Sequence, residues 1–247
     1  MRLPKLNTSN VILSQADRKR AIVIPSKISE ELAEFVGIHV ADGHMGHYPN
    51  QRHYVIQWGG DPKSGKQYYD FFIKQLWRKV FNAEVKPCLM HNGMYGFMFY
   101  SKGILRFLET CMGIPCGDKT KTAKIPLIIK NTCRNGVSEQ MAACLRGLID
   151  NDFFFSSIGR DHILGAWFAS KGLILDLHEY FSRLGIYSKL TLDDWYFDKR
   201  WNKYILRHGI RIRRKKDLCL WHRVIGSHNQ KIYKKYDAMV NIRKQSG

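Results

Sequence analysis

The segment Leu32-Ala33-Glu34-Phe35-Val36-Gly37-Ile38-His39-Val40-Ala41-Asp42-Gly43 is echoed by Leu145-Arg146-Gly147-Leu148-Ile149-Asp150-Asn151-Asp152-Phe153. Each is a helix-like apolar run that closes on an acid. With Gly37 set against Gly147, Asp42 falls opposite Asp152, 110 positions further on. A period of nearly half the 247-residue chain describes two half-molecules of common design rather than a solenoid array. Small residues lie four apart on one face of each run, Gly37 with Ala41 and Gly147 with Asn151, so two such helices can approach closely. Close approach would bring the two acids together.

The flanking patterns repeat in the same order. In the first half a helix over about 28–41 is followed by strands near 45–48 and 53–58 and a helix over 66–81. A hairpin follows, with arms 84–91 and 95–100 around the turn signal Asn92-Gly93, and then a helix over about 103–112. The second half reads as a helix over 138–151, strands near 153–157 and 163–169, a helix over 172–184, strands near 187–193 and 203–213, and a helix over 217–225. Both halves are αββαββα. Residues 113–135, rich in Gly, Pro, Lys and Thr, read as a linker draped over the surface, which divides the chain into 1–120 and 121–247.

Forty Lys and Arg stand against 21 Asp and Glu, a formal charge of +19. Lys199, Arg200, Arg207, Arg211, the run Arg213-Arg214-Lys215-Lys216 and Arg223 crowd the last fifty residues. Self-repulsion on this scale calls for a polyanionic partner. Nucleic acid fits better than lipid, because the basic residues alternate in strand-like segments instead of lining an amphipathic helix. No apolar run is long enough to span a membrane and residues 1–14 lack a secretory apolar block, so a cytoplasmic or nucleoid compartment is expected, an organelle being left open. Six cysteines without a C-x-x-C pair read as reduced, buried thiols.

Together with Lys124-Ile125-Pro126 before the second motif and a lysine after each half's fourth strand, these features resemble the LAGLIDADG homing endonucleases of the single-chain, two-repeat type. The likeness runs over nearly the whole chain. It implies an α+β fold of two pseudo-symmetric αββαββα repeats, with saddle-shaped antiparallel sheets straddling DNA and two motif helices packed at the interface. It also implies a monomer, without an obligate protein partner, that cuts both strands of a long double-stranded DNA site across the minor groove. The metal would be Mg²⁺, with Mn²⁺ or Ca²⁺ able to stand in for binding. An RNA maturase acting on intron RNA, or a DNA-binding protein without cleavage, would share the basic saddle. Two acids and two lysines in tandem favour the endonuclease.

By the same resemblance Asp42 and Asp152 hold the cation, and a pair of carboxylates is the hard-oxygen donor set that Mg²⁺ takes. Lys102 and Lys215, the latter with Lys216 as a neighbouring alternative, would hold the water network and stabilise charge at the phosphorus. Asp61 and Ser170, at the ends of the second strands, would orient the attacking water. Arg52, Gln57, Lys86, His91, Arg160, Lys189, Arg207, Arg211 and Arg213 are candidates for DNA contact, since a β-ribbon fits the major groove and presents every second residue to base edges.

Two departures from the motif stand out. Val40 replaces an earlier Asp that Asp150 keeps, a position serving structure at the motif end, and Phe153 replaces a final Gly where the chain turns into the first strand. A bulky residue there is expected to shift Asp152 or that strand. Gly60 to Lys66 matches G-x-x-x-x-G-K, but Gln67 stands where a nucleotide hydrolase needs Ser or Thr, and the preceding strand belongs to a hairpin. His39, inside the first motif, reads as packed or hydrogen-bonded rather than as a metal ligand.

Overall fold

The computed structural model describes residues 5–48, 50, 53–134, 136–158 and 161–241. A short helix α1 (Gln15–Lys19) precedes the first repeat, which opens with α2 (Glu30–Asp42), β1 (His44–Tyr48) and β2 (His53–Gly60). Helix α3 (Pro62–Gln67) runs through a π-helical turn (Tyr68–Ile73) into α4 (Lys74–Phe81). Strands β3 (Cys88–Leu89) and β4 (Tyr95–Tyr100) follow, then α5 (Lys102–Arg106) with a second π-helical turn (Phe107–Cys111). One turn of helix, α6 (Leu127–Lys130), stands between the repeats. The second repeat comprises α7 (Glu139–Asp152), β5 (Phe154–Ile158), β6 (Asp161–Phe168), α8 (Lys171–Arg183), β7 (Lys189–Asp198), β8 (Lys203–Ile212) and α9 (Lys215–Val224), and α10 (Gln230–Asn241) follows it.

The two sheets have one topology: β1-β2-β4-β3 and β5-β6-β8-β7, with all neighbours antiparallel. This is the expected α+β pair of αββαββα repeats. The hairpin arm expected over 84–91 shrinks to Cys88–Leu89, because Pro87 offers no amide to the ladder. Helix α10 has a readable signal in Ile232, Tyr236 and Met239, buried at helical spacing, and its Lys235 ammonium donates to the Phe155 carbonyl at 2.8 Å. The six cysteines are free, as expected, yet among them only Cys144 is fully buried and Cys88 is exposed.

Strand alternation sets the layers. On β8, Ile210 and Ile212 turn into the core with Leu164 and Ala166 of β6, while Arg211 turns outward. In the first repeat Phe35 of α2 packs on Trp58, Trp77 and Phe81 at 4.6, 5.0 and 4.9 Å between ring centroids. Helices α2 and α7 cross at the centre of the molecule with backbone against backbone. A Cβ on Gly37 would stand 2.0 Å from the Cys144 carbonyl oxygen, and one on Gly147 would stand 2.3 Å from that of Glu34. Cys144 and Glu34 are themselves 110 positions apart, so the contact is exchanged across a pseudo-twofold axis.

Candidate active site and nucleic-acid interface

Both motif helices start and end alike. Ser29 and Ser138 cap them through the amides of Leu32 (3.2 Å) and Met141 (3.0 Å). At the other end the amides of Gly43 and Phe153 bond the carbonyls of His39 and Ile149, both at 3.1 Å. Gly43 and Phe153 share an extended backbone, φ −75°, ψ 142° and φ −89°, ψ 145°. Phenylalanine therefore distorts nothing, contrary to the expectation, and its buried ring packs against Phe168 and Phe181. The glycine is needed for another reason: a Cβ on Gly43 would meet the His39 ring at 2.4 Å, where the second repeat has Ile149. His39 is buried and its Nδ1 accepts from Trp58 Nε1 at 2.9 Å, so burial holds the ring neutral with its pKa lowered to about 3.

These helix ends deliver Asp42 and Asp152 side by side. Burial raises the pKa of both carboxyls, and the charge of Asp152 raises that of Asp42 further. Among the described residues the lysine whose charge opposes both shifts is Lys119, from the inter-repeat segment. Its ammonium donates to the carbonyls of Val40 (2.6 Å) and Ala41 (3.0 Å), the negative end of the α2 dipole. The linker expected to drape over the surface instead enters the centre. Burial lowers the Lys119 pKa, and the two acids and Asp118 counter it.

The second repeat answers with its own segment. Gly113 and Gly226, at φ +70° and +71°, end the last helix of each repeat in the left-handed region and turn the chain back toward the motif helices. Where Lys119 caps the Val40 carbonyl, Asn229 Nδ2 caps that of Asp150 at 2.6 Å. The buried Asp150 carboxylate accepts from Ser227 Oγ and the His228 amide, and Glu34 binds His228 Nδ1 (2.7 Å) and Arg146 (3.1 Å). The position that differs between the motifs thus anchors the following segment. Lys231, next along it, lines a cleft with Asp42 and Asp61 and donates to Ser64 Oγ at 3.2 Å. Extending the repeat register past Gly113 and Gly226 would have pointed to both segments, but their composition reads as loop.

Lys102 and Lys215 occupy equivalent places, each the first residue of the helix after the fourth strand. Lys102 stands 5.7 Å over the Tyr54 ring. Asp61 and Ser170 are also equivalent, as caps of α3 and α8 through the amides of Ser64 (3.0 Å) and Leu173 (3.2 Å). Asp61 is exposed at the cleft. Ser170 is 1% exposed and donates to the Ala123 carbonyl at 2.6 Å, so its hydroxyl is committed to the fold rather than to solvent.

Of the DNA candidates, Gln57 lies on the outward face of the first sheet in register with His44 and Met98, and Lys86 and His91 are exposed beside β3. On the second sheet Lys189 pairs in register with Arg211. Arg207 is clamped by Asp194 at 2.7 Å between the rings of Trp167 (4.0 Å) and Tyr196 (3.9 Å), Arg211 lies 4.9 Å over Trp167, and the exposed Arg213 reaches Asp161 at 3.4 Å. Sequence reading missed this aromatic floor. A side chain at Gly209 would strike the Trp167 ring at 2.7 Å, so the glycine lets the indole lie across β8. Arg52 and Arg160 fall outside the described residues. The G-x-x-x-x-G-K stretch begins on β2, which is antiparallel to both neighbours, so no βαβ phosphate loop forms.

No protein-family model and no curated protein matches the sequence. Solved structures do. The homing endonuclease I-DmoI in complex with DNA and Ca superposes with a TM-score of 0.56 at 16% identity, over 87% of this chain and 98% of that one. The chain has the fold of I-DmoI. The I-DmoI complex with DNA and Mn gives 0.53 at 16% identity, over 81% and 98%. Full-length DUF199/WhiA from Thermatoga maritima gives 0.51 at 12% identity, over 95% of this chain and 67% of that one. At such identities the likeness to I-DmoI carries the architecture, and the chemistry has to be argued from the side chains. No helix among the described residues is long and apolar enough to cross a membrane.

Proposed function

We propose that this chain is a site-specific DNA endonuclease that hydrolyses both strands of a long duplex target as a monomer. The observation that carries the reading is the pairing of Asp42 and Asp152 at the ends of two crossed helices, with the charge of Lys119, held on the Val40 and Ala41 carbonyls, acting on both. I-DmoI, whose fold the chain shares, is a homing endonuclease with structures in complex with DNA and with Ca or Mn.

Two carboxylates that repel each other fit a divalent cation, because positive charge between them removes the penalty each imposes on the other. Asp42 and Asp152 would hold Mg²⁺, or Mn²⁺ or Ca²⁺ in its place, and the cation supplies Lewis-acid polarisation of a phosphate oxygen and a more acidic water. Lys119 takes the place beside the acids expected of Lys102. Its ammonium, fixed on two carbonyls, is poised to stabilise negative charge that develops at the phosphorus. Lys231 lies on the Asp42 side with Asp61, which has an exposed carboxylate to orient water. Lys102 and Lys215 serve as backbone phosphate contacts, and Lys189, Arg207, Arg211 and Arg213 meet the groove. The repeats divide near residue 120, inside the segment that completes the centre.

Nicking of a randomised supercoiled library with Mg²⁺ tests the proposal. Linear product that requires the cation and disappears in Asp42→Asn is the expected result. Cation-independent cleavage, or tight binding confined to structured RNA with no cleavage, would overturn it.

A further inference from the structure

Tyr69 is 2% exposed, and its hydroxyl is among the few buried polar atoms of the described residues that have no hydrogen-bond partner. Leaving a buried hydroxyl unpaired is costly, so the group calls for a partner. The ring is held edge-on by Tyr68 (6.1 Å), Tyr95 (6.5 Å) and Phe97 (6.4 Å). It passes over Gly60, where a Cβ would stand 3.3 Å from the ring. It lines the same cleft, about 220 Å³, as Asp42 and Asp61, and the Asp42 charge adds to burial in keeping the phenol protonated.

The π-helical turn Tyr68–Ile73 sets the ring there. A wide turn inside an α-helix re-aims the residues it carries, and such turns recur at functional sites. Here it presents consecutive tyrosines to the two motif helices: the Tyr68 hydroxyl accepts from Asn151 Nδ2 at 3.4 Å, and Tyr69 lines the cleft that Asp42 also lines. The second repeat lacks this device. Counted from the helix caps Asp61 and Ser170, Tyr69 matches His178, which sits on the unbroken helix α8 with its Nδ1 bonded to Ser188 Oγ at 2.8 Å.

We propose that Tyr69 is a positioning residue for the Asp42 half of the centre, its hydroxyl donating to the Asp42 carboxylate when that carboxylate holds the cation and making the two halves unequal. This rests on the endonuclease reading above. A donor on one carboxylate oxygen fixes the plane of the group and leaves the other oxygen to the cation. In the Asp152 half the equivalent position is His178 rather than a phenol, so the two strands are expected to be cut at different rates.

Two measurements test this on the full chain. In ¹³Cζ-tyrosine NMR of the DNA-free protein, the Tyr69 resonance, assigned by its loss in Tyr69→Phe, should move when Ca²⁺ is added. It should stay still in Asp42→Asn and still move in Asp152→Asn. A resonance indifferent to Ca²⁺ in the wild type, or equally responsive in Asp42→Asn, overturns the proposal. In strand-resolved cleavage of the target selected from the library, Tyr69→Phe should slow one strand about tenfold, the loss of one hydrogen bond to a charged group, and accumulate nicked circles. Equal rates on both strands in that variant would also overturn it. If the wild type cuts neither strand, the endonuclease reading fails on its own, and the NMR titration still decides the tyrosine.

Discussion

Lys119 reaches from the segment between the repeats to donate to the Val40 carbonyl at 2.6 Å, two residues before Asp42. One ammonium thereby closes the last turn of a motif helix and offsets the mutual repulsion of the two acids. Removing it should harm chemistry more than folding. Lys119→Met is expected to lower single-turnover cleavage about a hundredfold or more, with duplex affinity nearly unchanged, while lost charge at the helix end costs about 1 kcal/mol in urea denaturation. Lys102→Met should cost affinity instead. The reverse pattern would return the central role to Lys102.

The acid pair also sets a pH dependence. Both folded pKa values lie above the ordinary 3.8, raised by burial and, for Asp42, further by the charge of Asp152, so the folded state binds more protons than the unfolded one. The stability they contribute is complete below pH 3.8 and is lost as pH rises through these values. Without divalent cation, melting temperature should fall between pH 5 and about 8, and less steeply in Asp42→Asn. Mg²⁺ should raise it more at pH 8 than at pH 6, since cation and proton compete for one site. A flat difference between wild type and variant would show that the carboxyls do not interact.

Restoring the motif glycine should damage the second repeat. Phe153 already has the extended backbone of Gly43, and its ring fills the space beside Phe168 and Phe181. Phe153→Gly is expected to cost about 3–5 kcal/mol by chemical denaturation. A stabilised variant would mean that the phenylalanine is strained.

Gly147→Ala places a methyl 2.3 Å from the Glu34 carbonyl oxygen, and backbone on both sides cannot yield. A loss of about 3 kcal/mol or more is expected, together with separation of the two acids and loss of cleavage. Near-native stability with full activity would show that the helices cross further apart.

On duplex DNA the basic saddle should give a steep salt response. With about ten phosphates neutralised, log affinity of Asp42→Asn should fall with log salt at a slope of about −9. Removing a phosphate-contacting lysine should flatten the slope by about one unit, whereas altering Arg207, locked between Trp167 and Tyr196, should change sequence preference. A near-flat slope would remove DNA as the partner.

The repeats, the order of elements and the pair of acids were legible because each rests on local periodicity: helical spacing from Leu32 to Asp42, alternation through β8, and glycines in register. What escaped the sequence depends on distant contacts. Lys119 lies in a stretch that looks like loop and Lys231 opens a helix with no visible tie to the centre, until the chain turns back at Gly113 and Gly226. Ser170 and Asp61 share a register position, yet only folding buries the one and exposes the other. Phe153 looked disruptive because the motif's glycine marks the turn into the first strand, and the collision that requires Gly43 comes from His39. The tyrosine pair on the π-helical turn had no local signature at all.

The tether that carries Lys119 also limits how the molecule can be taken apart. Severing the chain just before Lys119 would leave the first half without the cation that steadies its own helix end, and severing it just after would leave that cation with the first half and the second half held to the centre by non-covalent contacts alone. Chimaeras that join halves from different parents must therefore treat this segment as belonging to both, and a flexible replacement of equal length would join the halves while leaving them disarmed.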